Sequence, residues 1–124
     1  MNDFKKKNTG KRGEDAACGY LSAAGHRILE RNWRAGHLEI DIITEAPDGL
    51  HFVEVKTRTA PVQAAPQENV GVVKQRRITA AALRYLHGSQ SFGREAFFDV
   101  ISVILYPDGT EIEYFPCAWI PMYV

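Results

Sequence analysis

The stretch from Gly36 to Arg58 limits the rest of the chain most, because it alternates twice around a single turn. In GHLEIDII, Leu38, Ile40 and Ile42 are apolar while Glu39 and Asp41 are charged; in LHFVEVKTR, Val53 and Val55 alternate with Glu54 and Lys56. Period-two alternation marks a strand with one buried face, and Ala46-Pro47-Asp48-Gly49 between the arms is turn chemistry. The segment reads as a β-hairpin with the charges of both arms on one face. Closing the turn with Glu45 opposite Leu50 sets the register: Ile42 meets Val53, Ile40 meets Val55, Asp41 meets Glu54 and Glu39 meets Lys56. Two carboxylates directly across a ladder have Cβ atoms about 4.5–5.5 Å apart, and like charges so placed destabilise a sheet. A hard divalent cation bound by oxygen ligands is the simplest offset.

A chain of 124 residues makes one domain, large enough for a real core but not for two. Lys and Arg together number 15, as do Asp and Glu, so any attraction to nucleic acid must come from where charges sit and not from their sum. Cys18 and Cys117 are isolated and have no partners at zinc-ligand spacing, so reduced thiols are expected. No apolar run approaches membrane-spanning length, and the N-terminal lysines precede no apolar region. A cytoplasmic protein without membrane association is the expectation.

Taken in order, the chain opens with a helix beginning near Asn8 or Thr9, with Ala17, Tyr20, Leu21 and Ala24 at helical spacing and Gly25 as its stop. Glu14 in its first turns either complements the helix dipole or serves a site. Lys5, Lys6, Lys7, Lys11 and Arg12 form either a solvated arm or a set of phosphate contacts. His26 to Arg34 reads as a first strand with Trp33 in the core, and the hairpin follows. TAPVQAAPQENVG, with two prolines and no periodicity, reads as a mobile loop at the end of the strand bearing Glu54 and Lys56. From Asn69 to Leu86 a second helix carries Ile78, Ala81, Ala82 and Tyr85 as its apolar stripe, with Lys74, Gln75, Arg76 and Arg77 elsewhere. AFFDVISVILY and TEIEYFP make two further strands around Pro107-Asp108-Gly109, the first apolar enough to be central. Asp99 within it is expected to be tied to a basic side chain or a backbone donor. His26, His37, His51 and His87 form no close pair and read as surface or capping residues. The order predicts an α/β fold, a mixed central sheet flanked by helices.

An acid on one strand followed by acid-x-lysine on the next resembles the PD-(D/E)xK nuclease superfamily: Asp41, with Ile40 where the proline would stand, then Glu54 and Lys56. An acid-x-lysine triplet alone recurs by chance, as at Asp3-Phe4-Lys5, and Pro47-Asp48 belongs to a turn. The blocks GKRGEDAACGYL, RNWR, LEIDII, FVEVKTR, VVKQRRI and FFDVISV together resemble the YraN family of small bacterial nuclease-like proteins, itself similar to archaeal Holliday junction resolvases. That resemblance implies a restriction-endonuclease-like αβββαβ core and metal-dependent phosphodiester hydrolysis with Glu14, Asp41, Glu54 and Lys56 as catalytic positions. Mg²⁺ or Mn²⁺ would be held by Asp41, Glu54 and the Val55 carbonyl. The partner implied is nucleic acid, DNA in particular, met by Lys11, Arg12, Arg34, Arg58, Lys74 and Arg77, and a homodimer would supply the paired sites a junction needs. The alternative is a catalytically silent binding or assembly module on the same scaffold. Two departures from the family pattern stand out: His37-Leu38 where glycine is common, and Phe97 in place of a common arginine. Glu39 stands outside the metal set and its role stays open, with the Lys56 ammonium it faces as one candidate partner.

Overall fold

The computed structural model describes residues 3–62, 70–89, 91 and 93–121, with backbone alone for 3–6. Over these the chain runs α1 (Asp3–Ala23), β1 (Arg27–Ala35), β2 (Leu38–Ala46), β3 (Gly49–Thr59), α2 (Val72–Gly88), β4 (Ala96–Tyr106) and β5 (Gly109–Phe115). The fold is α/β, with the element order αβββαβ that the resemblance implies and one further strand. The strands lie in chain order in one mixed sheet, antiparallel except for β3 against β4. A parallel neighbour needs a crossover, and α2 lies in that connection.

The two helices cover opposite faces. Under α1, Ala17 and Leu21 pack on Ile42, Val53, Ile101, Val103 and Leu105. Under α2, Ile78, Ala81, Ala82 and Tyr85 pack on Ile40, Ile43, Leu50, Phe52, Phe98 and Val100, so the stripe expected from sequence is the one that is buried. Trp33 joins this second core, edge-on to Tyr85 at 5.3 Å. With both faces of the sheet covered, β4 is buried from Phe98 to Leu105, which accounts for its nearly unbroken apolar run.

Some boundaries differ from expectation. The first helix starts at Asp3, several residues before Asn8, since nothing ahead of Asn8 breaks it and a leading aspartate suits a helix start. The second starts at Val72, not Asn69. Most of the loop expected to be mobile, residues 63–69, and the side chains of Lys5 and Lys6 lie outside the described residues.

The hairpin departs from expectation in a way that matters more. Its register is the expected one at the turn: Ala46 pairs with Gly49, Glu45 with Leu50 and Ile42 with Val53. The described ladder ends there, while β2 stays paired with β1 through Trp33–Ile40 and Ala35–Leu38. Ile42 faces α1 beside Val53, yet Ile40, expected on the same side, packs under α2. Alternation therefore breaks at Asp41, and neither the Asp41–Glu54 nor the Glu39–Lys56 ladder pair is formed among the described residues.

Candidate active site

Asp41 sits where β2 leaves β3, and its side chain does what the missing ladder would have done. The Val55 N–H, two residues beyond the last paired position on β3, donates to Asp41 Oδ2 at 2.8 Å. Glu54, between Val53 and Val55, points to the other face, is 8 % exposed, and receives Lys74 Nζ on Oε1 at 2.6 Å. Glu14 comes from a third element. Its neighbour Gly13 is buried against β3, where a Cβ would collide with the Thr57 side chain, so glycine lets α1 approach the strand and brings Glu14 to its edge. Glu14 Oε2 then accepts from Asn32 Nδ2 at 3.1 Å and lies 3.9 Å from Arg31. Asn32 has a left-handed backbone (φ 51°), a conformation asparagine tolerates better than most residues.

Asp41 senses both of the other carboxylates. Burial, then the charge of Glu54, and further that of Glu14 push the Asp41 carboxyl up to about 7, against the pull of the Val55 N–H and of Lys74. Burial also lowers Lys56 from the usual lysine range, with Glu54 raising it and Lys74 lowering it. Beside Lys56 in the β3–β4 register is Ser102, whose buried hydroxyl has no hydrogen-bond partner among the described residues.

The remaining expected cations scatter. Lys11 and Arg12 are exposed on α1. Arg34 lies 3.8 Å from Glu39, which therefore faces an arginine where Lys56 was expected. Arg58 is half-buried on β3. Lys74 and Arg77 line a cavity of about 520 Å³ together with His37, Glu39 and Ile78.

Among the described residues no three His, Cys, Asp or Glu side chains gather into a metal-holding group. A cation here would rest on two carboxylates, Asp41 and Glu54, whose repulsion it would relieve, plus backbone oxygen, water and phosphate. That donor set is all hard oxygen and leaves most positions open, which suits Mg²⁺ or Mn²⁺.

Sequence reasoning missed Lys74 as the partner of Glu54, although the signal was present: Lys74, Ile78, Ala81 and Tyr85 follow one helical stripe, so the lysine heads the buried face. It also missed Asn32 and the buried His51. His51 Nδ1 meets Asp99 Oδ2 at 2.6 Å and Nε2 meets Asp48 Oδ1 at 2.8 Å. Asp99 further accepts from the Tyr114 hydroxyl and, at 3.0 Å, from the Cys117 N–H, the structural role expected of it. Phe97 stacks on His51 at 4.8 Å, which gives that departure from the family pattern a packing partner.

The model of the uncharacterised protein family UPF0102 matches residues 13–103, a span that includes Glu14, Asp41, Glu54 and Lys56. The chain belongs to that family. UPF0102 is the YraN family of the resemblance above. Curated relatives, each named UPF0102 protein, include one from Syntrophus aciditrophicus, 47% identical over 105 residues that cover 85% of this chain and 83% of the relative. Another, from Syntrophotalea carbinolica, is 42% identical over 116 residues, 94% of each chain. A third, from Oleidesulfovibrio alaskensis, is 46% identical over 94 residues, 76% of this chain, and the match spans only 46% of the relative's length. Among solved structures, this UPF0102 chain is similar to Archaeoglobus fulgidus Hjc, a Holliday junction resolvase, with 21% identity and a TM-score of 0.49 over 86% of this chain and 76% of that one. It is also similar to Pyrococcus furiosus SfsA in complex with Ca²⁺, with 18% identity and a TM-score of 0.40 over 90% of this chain and 63% of that one. No described helix is long and apolar enough to cross a membrane.

Proposed function

We propose that this chain is a Mg²⁺- or Mn²⁺-dependent endonuclease that hydrolyses phosphodiester bonds of DNA, with branched or junction DNA as the substrate that the family resemblance implies. The observation that supports it is the Asp41 carboxyl on β2, pushed up to about 7 first by its burial and then by the charges of Glu54 on β3 and Glu14 on α1, with Lys74 paired to Glu54 and Lys56 sensing the same glutamate. A purely structural cluster would gain nothing from holding like charges together. Asp41 and Glu54, with the Val55 carbonyl, are the groups that would hold the cation. When bound, the cation supplies Lewis acidity toward the phosphate.

The protein groups divide the remaining work. Water attacks phosphorus and the opposite phosphorus–oxygen ester bond breaks, leaving one phosphate monoester and one hydroxyl. Glu14, steadied by Asn32, accepts a hydrogen bond from that water and sets its line of approach, and the proton the water gives up passes through solvent to the departing oxygen, which leaves as the hydroxyl. The Lys56 ammonium stabilises charge gathering on the non-bridging oxygens, where low local dielectric strengthens it. Phosphodiester cleavage requires assistance well over ~10 kcal/mol on the scale of enzymatic acceleration, more than hydrogen bonds alone supply.

The silent-module reading draws on one observation, that Lys74 already neutralises Glu54. Labelled branched, flapped, single-stranded and duplex DNA, incubated with Mn²⁺ or with EDTA, separates the two. The endonuclease reading expects cutting in Mn²⁺, none in EDTA, and a loss of about 10²- to 10³-fold in Lys56→Ala. Salt-sensitive binding without cutting under any of these conditions would favour the module.

A further inference from the structure

We propose that Lys74 is a built-in counter-ion of the carboxylate site, handed from Glu54 to a phosphate oxygen of the nucleic acid when Glu54 takes up a divalent cation. The inference rests on the metal-dependent reading above and adds a coupling between metal and nucleic-acid binding. Its first support is geometric. Lys74 Nζ lies 2.6 Å from Glu54 Oε1, and the glutamate side chain is 9% exposed against 58% for the lysine. The ammonium thus reaches inward from a solvent-side stem onto a buried anion, whose charge Lys56 also senses. An ion coordinated at the same oxygen would repel it.

The second support is where Lys74 goes once displaced. Its backbone is anchored on α2 one turn before the buried Ile78, while its four-carbon side chain has freedom to swing. The space beside it is the cavity of about 520 Å³, within the size range of small-ligand sites, and Arg77 and His37 share its wall. An ammonium released from Glu54 therefore joins a second cation, at a place where a phosphate next to the carboxylates would lie. Glu39, on the same wall, is opposed by Arg34. Because coupling free energies are reciprocal, nucleic acid that captures Lys74 vacates Glu54 and tightens the metal, and metal that frees Lys74 tightens the nucleic acid.

Titration of the full chain with Mn²⁺, followed by the electron paramagnetic resonance of free Mn²⁺, tests this with and without a phosphorothioate DNA duplex. Without DNA, Lys74→Met is expected to bind Mn²⁺ about fivefold more tightly than the wild type, the scale of one partly exposed ion pair, and Lys74→Arg to match the wild type. DNA is expected to tighten Mn²⁺ binding in the wild type and to do so by a smaller factor in Lys74→Met. Lys74→Gln replaces the Met variant if that one fails to fold. Unchanged or weaker Mn²⁺ binding in the Lys74 truncation, or an equal response to DNA, overturns the proposal while leaving the metal reading intact. Wild-type protein that does not bind Mn²⁺, or that binds it equally after Glu54→Gln, overturns the metal reading and the proposal with it.

Discussion

Packed ring against ring at 4.6 Å, His26 and His51 are displaced from the ordinary histidine pKa in opposite directions. Burial, then the neighbouring His51, lowers His26. Burial acts in the same direction on His51, but hydrogen bonds to Asp99 and Asp48 outweigh it and hold His51 above the ordinary value. A base with a raised folded pKa adds stability that is complete below its unfolded pKa and fades as pH rises through the folded one. A base with a lowered folded pKa subtracts stability as pH falls below its unfolded value. The pair's own contribution should therefore peak near histidine's ordinary pKa, about 6.5, superimposed on the loss of stability that the raised Asp41 carboxyl brings as pH rises toward 7. Urea denaturation across pH should show His51→Gln losing the alkaline decline and His26→Gln losing the acid one. Variant profiles that run parallel to the wild type across pH would show that these charges are screened. This network was hidden in the sequence because His51, Asp99 and Tyr114 are brought together only by parallel pairing of β3 with β4 and by the next hairpin. The residues of the candidate site were legible for the opposite reason: Asp41, Glu54 and Lys56 stand on adjoining strands of one hairpin.

At the scale of elements, the order of helices and strands was readable from periodicity, and both Pro-Asp turns fell where turn chemistry put them, with Ala46 opposite Gly49 and Tyr106 opposite Gly109. What strict alternation could not reveal was the point at which β2 leaves β3. Ile40 and Ile42 look equivalent on a period of two, but α2 provides a second apolar surface that claims Ile40. Tertiary burial overrode the local pattern, and Asp41 stands at the break. The glycines of α1 report how closely that helix must dock. Gly19 is exposed with open space around the position of a Cβ, so Gly19→Ala is expected to stabilise the protein by up to about 1 kcal/mol through helix propensity. Gly13→Ala meets the Thr57 side chain and is expected to cost about 1–3 kcal/mol. It should also impair cutting by shifting Glu14. Chemical denaturation of the two variants checks the contrast, and equal effects would mean that α1 does not rest on β3 as described.

For the molecule as a whole, a neutral chain of modest size achieves its charge contrast by arrangement alone. Asp41 and Glu54 stand at the open end of the hairpin, the charge of Glu14 on α1 acts on Asp41, Lys74 of the crossover helix closes on Glu54, and a separate buried histidine network ties the turn end of the sheet together. The account depends on Asp41 and Glu54 acting as joint ligands although they are not ladder partners. Anomalous diffraction from a crystal soaked in Mn²⁺ addresses that dependence directly. The expected result is a peak about 2 Å from an oxygen of each carboxylate, with Lys74 withdrawn from Glu54. A saturated soak with no peak between those two side chains, and the Lys74–Glu54 pair still closed, would contradict it.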